Sequence, residues 1–115
     1  MNVDKVTFSQ RRNFFHLLAA DITKVEDARK ESVKRRETGN LLYKSRRFAD
    51  AIAAYSEAAV AASKVPDVAL VSAAVANRSA ALFEAGSFAE AEEDAAAVLE
   101  IYGYPQPQVK NPTFF

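Results

Sequence analysis

Six small or apolar positions recur at the same spacing in two stretches of this chain. Gly39, Leu42, Phe48, Ala51, Tyr55 and Ala58 are matched by Ser79, Leu82, Phe88, Ala91, Ala95 and Val98, each pair 79 − 39 = 40 residues apart. One coincidence at helical spacing carries little weight. Six in register indicate an internal repeat, and a repeat fixes architecture before any other reading. Small residues stand where two helices must approach closely, and larger apolar ones fill the space beside them.

The length of 115 residues suits one domain. Alanine dominates the apolar residues and favours closely packed helices. The three Gly and four Pro leave long helical stretches uninterrupted. No cysteine is present, so disulfides, thiolate metal sites and a cysteine nucleophile are ruled out. This suits a reducing compartment, and the expected localisation is the cytoplasm or nucleus. No apolar run approaches about 20 residues, so no membrane span is expected. Arg11 and Arg12 precede only a short apolar patch, unlike a signal peptide.

Helix signals run along the whole chain, and the expected fold class is all-α. Thr7 and Gln10 fit a capping box for a packing helix from about Phe8 to Ala20, with Phe8, Phe15, Leu18 and Ile22 near one side. A second helical stretch runs from Asp21 to Tyr43. Glu26/Lys30 and Glu31/Arg35 support it as acid-before-base pairs. Gly39 inside it costs roughly 1 kcal/mol against Ala and is read as a contact point for the next helix. Phe48 to Ala62 forms the next helix, with Ile52, Tyr55 and Ala59 facing inward. Pro66 suits the first turn of the helix after that, which runs to about Glu84. Gly86 is placed to take a left-handed cap. Ser87 and Glu90 form a capping box for a last helix ending near Tyr102. Pro105 and Pro107 then stop regular structure.

The duplicated pattern resembles the tetratricopeptide repeat. Gly39, Ala51, Tyr55 and Ala58 carry the family's marks in the first copy. The second begins Asn77-Arg78-Ser79-Ala80-Ala81, with Ser79 where glycine is usual, and continues with Gly86, Phe88 and Ala91. The resemblance covers residues 28 to 104, with repeats at about 28–62 and 67–102. It implies a right-handed stack of helix-turn-helix units. Residues 1–27 would be a helical extension and 105–115 an irregular tail. The family period is about 34 residues, and the surplus of about six falls at Ser63 to Leu70.

Little here suggests catalysis. His16, the only histidine, sits among Phe14, Phe15 and Leu17 and reads as a packing residue. Glu92, Glu93 and Asp94 are adjacent on a helix, so they diverge and read as a solvated face. No phosphate loop, zinc spacing or nucleophile motif occurs. The expectation is a non-enzyme without cofactor or metal. A neutral chain without a nucleic-acid motif is not expected to bind nucleic acid.

Charge is segregated nonetheless: residues 1–47 carry 12 − 6 = +6, and residues 48–115 carry 3 − 9 = −6. A basic first helix facing a groove favours an acidic partner segment.

The resemblance implies a concave groove that binds a peptide. In chaperone-adaptor members, a basic residue and two asparagines clamp the C-terminal carboxylate of a partner's tail. Arg36, Asn40 and Asn77 match those positions. Arg36 stands where lysine is usual, and the clamp's other cations belong to a third repeat that lies beyond this sequence. A heat-shock chaperone tail is the partner implied. The chain is also similar to the repeat region of SET- and MYND-domain lysine methyltransferases, through Arg36-x-x-Gly39-Asn40, Ala76 to Leu82, and Gly103-Tyr104-Pro105. Without cysteine it would be a non-catalytic N-terminal fragment or truncated isoform of such an enzyme. Ending after two repeats also leaves an uncapped face that invites self-association.

Overall fold

A computed structural model describes residues 8–100, with side chains from Asp21 onward. It holds four helices: α1 (Phe8–Lys44), α2 (Phe48–Ala62), α3 (Val68–Glu84) and α4 (Phe88–Glu100). No strand occurs among the described residues. The chain is all-α, as expected. Each helix packs on the next, and α1 also touches α3. The Thr7 capping box and the 105–115 tail lie outside the described residues, as does the side chain of His16.

The packing helix expected at Phe8 to Ala20 is not a separate element. It is the start of α1, and the boundary expected at residues 27/28 falls inside that helix. The reason is local. No Gly or Pro occurs between Phe8 and Thr38, so nothing stops the helix from propagating.

Three-residue turns join α1 to α2 and α3 to α4, which makes each pair antiparallel. Both turns close the preceding helix by the same two bonds. Arg47 N–H donates to the Leu42 carbonyl at 2.9 Å and Arg46 N–H to Tyr43 at 3.0 Å. Forty residues on, Ser87 donates to Leu82 at 2.9 Å and Gly86 to Phe83 at 3.0 Å. This is the Schellman pattern, which needs a left-handed residue just past the helix. Gly86 fills that role at φ 86°, as expected, and Arg46 fills it in the first turn at φ 61°. An edge-to-face aromatic pair closes each turn: Tyr43 on Phe48 at 5.4 Å, and Phe83 on Phe88 at 5.2 Å.

The connection between the pairs is longer. Pro66 does not sit in the first turn of α3, because Asp67 caps that helix. The Asp67 carboxylate accepts from the N–H groups of Ala69 and Leu70. It also receives the Arg29 guanidinium at 2.8 Å, which ties α1 to the start of α3. That guanidinium holds the Asp67 carboxyl below its usual range despite partial desolvation, and the two N–H groups add to the effect.

The core is built on small residues. Ala51, Ala58 and Ala81 are fully buried, and Ala91 is nearly so, which places the expected helix crossings. Gly39 faces the Tyr55 ring so closely that a Cβ there would lie 2.5 Å from Cε1. Its close-contact role was legible in the sequence. Between the pairs, Val75 and Ala76 of α3 pack with Val98 of α4, with Ala59 of α2 against them.

The surface pairs partly follow the spacing. Arg35 donates to Glu31 at 2.7 Å, but Glu26 lies near Arg29 rather than Lys30. Asp94 departs from the expected solvated face: Arg78 grips it with two bonds, at 2.7 and 2.8 Å, and donates to Ser56 at 3.3 Å. One guanidinium thus links α2, α3 and α4. No helix among the described residues is long and apolar enough to cross a membrane.

Candidate functional site

Asn40 lies one helical turn from the end of α1, and Asn77 lies midway along α3. The contact of α1 with α3 brings their amides together across the two pairs. Asn77 Nδ2 donates to Asn40 Oδ1 at 3.3 Å, and the Tyr55 hydroxyl donates to the same oxygen at 2.6 Å. Asn40 Oδ1 is therefore fully used by two donors.

A cavity of about 340 Å³ beside these amides is lined by Asn40, Tyr43, Lys44, Tyr55, Asn77 and Ala80. Asn77 is only 4% exposed, and its Oδ1 has no hydrogen-bond partner among the described residues. A buried acceptor without a donor costs about 1–3 kcal/mol, and this oxygen is shut off from solvent rather than open to a ligand. The Asn40 amide N–H groups remain as donors. The site thus suits an oxyanion or carbonyl.

Tyr55 anchors the cluster. Burial pushes its phenol up to about 12, with Tyr43 raising it further and Arg36 opposing both. It stays protonated at neutral pH and is held as a donor to Asn40.

Of the three residues marked by sequence, Asn40 and Asn77 meet. Arg36 is half-buried one turn before Asn40 but does not line the cavity. Lys44, one turn after Asn40, is the cation that does. Neither has a carboxylate partner among the described residues. Lys44 was overlooked in the sequence although its signal was there: residues 36, 40 and 44 share one helix face. Sequence spacing places Tyr55 on an inward face, and nothing in its neighbours announces a bond to a residue fifteen positions earlier.

Arg78, next to Asn77 on α3, is bonded to Asp94 and does not line this cavity. Among the described residues no group of His, Asp or Glu is arranged to hold a metal ion. No protein-family model matches this chain, and no curated protein or solved structure is significantly similar to it.

Proposed function

We propose that the chain is a tetratricopeptide-type interaction module that binds the C-terminal segment of a protein partner. One observation carries the reading. Amides from two successive helix pairs converge on one cavity, where a lysine lacks an acid partner among the described residues. A terminal carboxylate suits Lys44 and the Asn40 amide, with Arg36 adding charge from one turn away. An acidic chaperone tail is the partner class this chemistry fits. The right-handed stacking of the pairs belongs to the same proposal, supported by the matched turns and the α1–α3 contact.

Titration calorimetry with free-acid and amidated peptides tests it. A peptide with acidic residues and a free C-terminus should bind with a dissociation constant on the order of tens of micromolar or weaker. Lys44→Ala should weaken binding by about 1.5–3 kcal/mol, and amidation comparably. Arg36→Ala should weaken it less, through charge alone, and added salt should do so in part. Equal binding of the two peptides, or none at millimolar concentration, removes the proposal.

A further inference from the structure

A second cavity, of about 560 Å³, opens between α3 and α4 and shares only Tyr43 and Ala80 with the peptide site. Tyr43, Ala80, Phe83, Phe88, Ala91 and Ala95 give it apolar walls, and Glu84 and Glu92 stand at its rim. Phe83 and Phe88 are 59% and 60% exposed, a large apolar surface to leave in water.

The 40-residue register says what shape fits there. Ala91, Ala95 and Phe83 occupy the positions of Ala51, Tyr55 and Tyr43. In the first pair that surface is covered by a helix: Ala81 of α3 is buried against Ala51 and Tyr55, with Tyr43 and Ile52 beside it. Among the described residues no helix covers the same surface of the second pair. Its rim is different. Glu84 and Glu92 stand where the first pair has Lys44 and Ile52. Glu84 lies close enough to Tyr43 to help burial raise that phenol's pKa. Helix α4 carries Glu90, Glu93 and Glu100 as well, and no Lys or Arg. The missing helix must therefore be apolar on one side and basic at its margins.

This chain contains such a helix. α2 has 15 residues and α1 has 37, so α2 covers about 22 Å of a helix about 55 Å long. The pairing of α1 with α2 reaches back to about Lys24, which borders a groove with Ala61 and Lys64. Ile22, just beyond, is 56% exposed. The overhanging sequence from Phe8 to Lys24 places Phe8, Phe15, Leu18 and Ile22 near one side at helical spacing. It carries Arg11, Arg12 and Lys24 against one acid, Asp21. The overhang cannot reach the cavity of its own molecule. Tyr43 borders that cavity from the other end of the same helix, about 40 Å from residue 16.

We propose that the overhang of α1 docks into the α3–α4 cavity of a second copy of this chain. The segregation of charge into a basic first half and an acidic second half becomes the complementarity of that contact. The contact is head-to-tail, so a dimer keeps one free overhang and one free cavity, and assembly continues beyond it. The peptide site adjoins this cavity through Tyr43 and Ala80 but rests on Asn40, Lys44 and Asn77, and neither proposal depends on the other.

Analytical ultracentrifugation of the full chain from about 1 µM to 1 mM should show mass rising beyond a dimer, less so at high salt. Phe88→Asp spoils only the cavity, and Leu18→Glu only the overhang. Each alone should be monomeric, with unchanged helix content by circular dichroism. An equimolar mixture should form a dimer and stop there, since one intact contact remains. Glu84→Lys with Glu92→Lys alters only the rim and should weaken assembly without disturbing packing. A chain that stays monomeric throughout overturns the proposal. So does a mixture that stays monomeric, or single variants that assemble like the wild type.

Discussion

The two helix pairs share one turn and differ in what fills it. Tyr43/Phe48 and Phe83/Phe88 repeat the same aromatic pair, and the carbonyls of Leu42 and Leu82 accept the same bond. Inside, the volumes are exchanged. The first pair sets Gly39 against Tyr55, while the second sets Ser79 at the equivalent position and Ala95 opposite. The space given up on one helix is taken by the other. Ser79 then uses its hydroxyl to donate to the Ala91 carbonyl at 2.7 Å. Backbone geometry is thus kept while the polar function moves. Only the first pair has a tyrosine to hold an asparagine in the groove.

The largest expected effects come from breaking that exchange. Tyr55→Ala should cost about 3–5 kcal/mol, through the cavity left and the hydrogen bond lost. Gly39→Ser should cost about 1–3 kcal/mol, because the new Cβ meets a ring with no room to swing. The double variant recreates the Ser79/Ala95 combination. It should be less destabilised than the sum of the singles by at least about 1 kcal/mol. Urea denaturation of all four proteins measures this, and strict additivity would show that the two sites do not share a volume.

The same tyrosine predicts an alkaline asymmetry. Its folded pKa of about 12 lies above the ordinary 10. Below pH 10 the phenol is neutral in both states and its contribution is constant. As pH rises from 10 to 12 the unfolded chain ionises first, and stability falls by roughly 2–3 kcal/mol. Tyr55→Phe should flatten that stretch of the stability-versus-pH curve, leaving a smaller slope from Tyr43. An unchanged slope would place the phenol in water.

A third contrast is between Ser32 and Ser72, which are also 40 residues apart and equally buried. Ser32 donates to the Ala58 carbonyl at 2.9 Å, whereas the Ser72 hydroxyl has no partner among the described residues. Ser32→Ala should cost about 0.5–1.5 kcal/mol, and Ser72→Ala should be neutral or stabilising. Equal losses in thermal melts would mean that Ser72 has found a donor or acceptor in solution.

These contrasts also show what sequence can carry. A glycine inside a helix and a glycine after one are rare enough to announce a close contact and a left-handed cap, and both Gly39 and Gly86 did so. The helix count was missed because a capping pattern at Thr7 suggested a short element, while propagation without a breaker runs straight through. Asp94 was missed because three adjacent acids look alike until a neighbouring helix supplies Arg78 to one of them. Asn40 and Asn77 came from resemblance, and their meeting depends on how α1 lies on α3. No local pattern encodes that.

The smallest effect tests the turn itself. A Cβ at Gly86 would meet nothing within 4 Å, so the cost of Gly86→Ala is all backbone. An L-residue at φ 86° costs about 1–2 kcal/mol, partly offset by the entropy that glycine loses on folding. The expected net loss is about 1 kcal/mol. Arg46 already bears that strain at φ 61°. Arg46→Gly relieves it but makes the unfolded chain freer by roughly 0.5–1 kcal/mol. It also removes the guanidinium that lies over the Phe48 ring at 5.4 Å, an exposed contact worth about 0.5 kcal/mol. The opposing terms leave a gain of a few tenths of a kcal/mol, so the two substitutions should shift the urea midpoint in opposite directions. A clear loss in Arg46→Gly would mean that the arginine's contact with Phe48, rather than the left-handed backbone, decides the first turn.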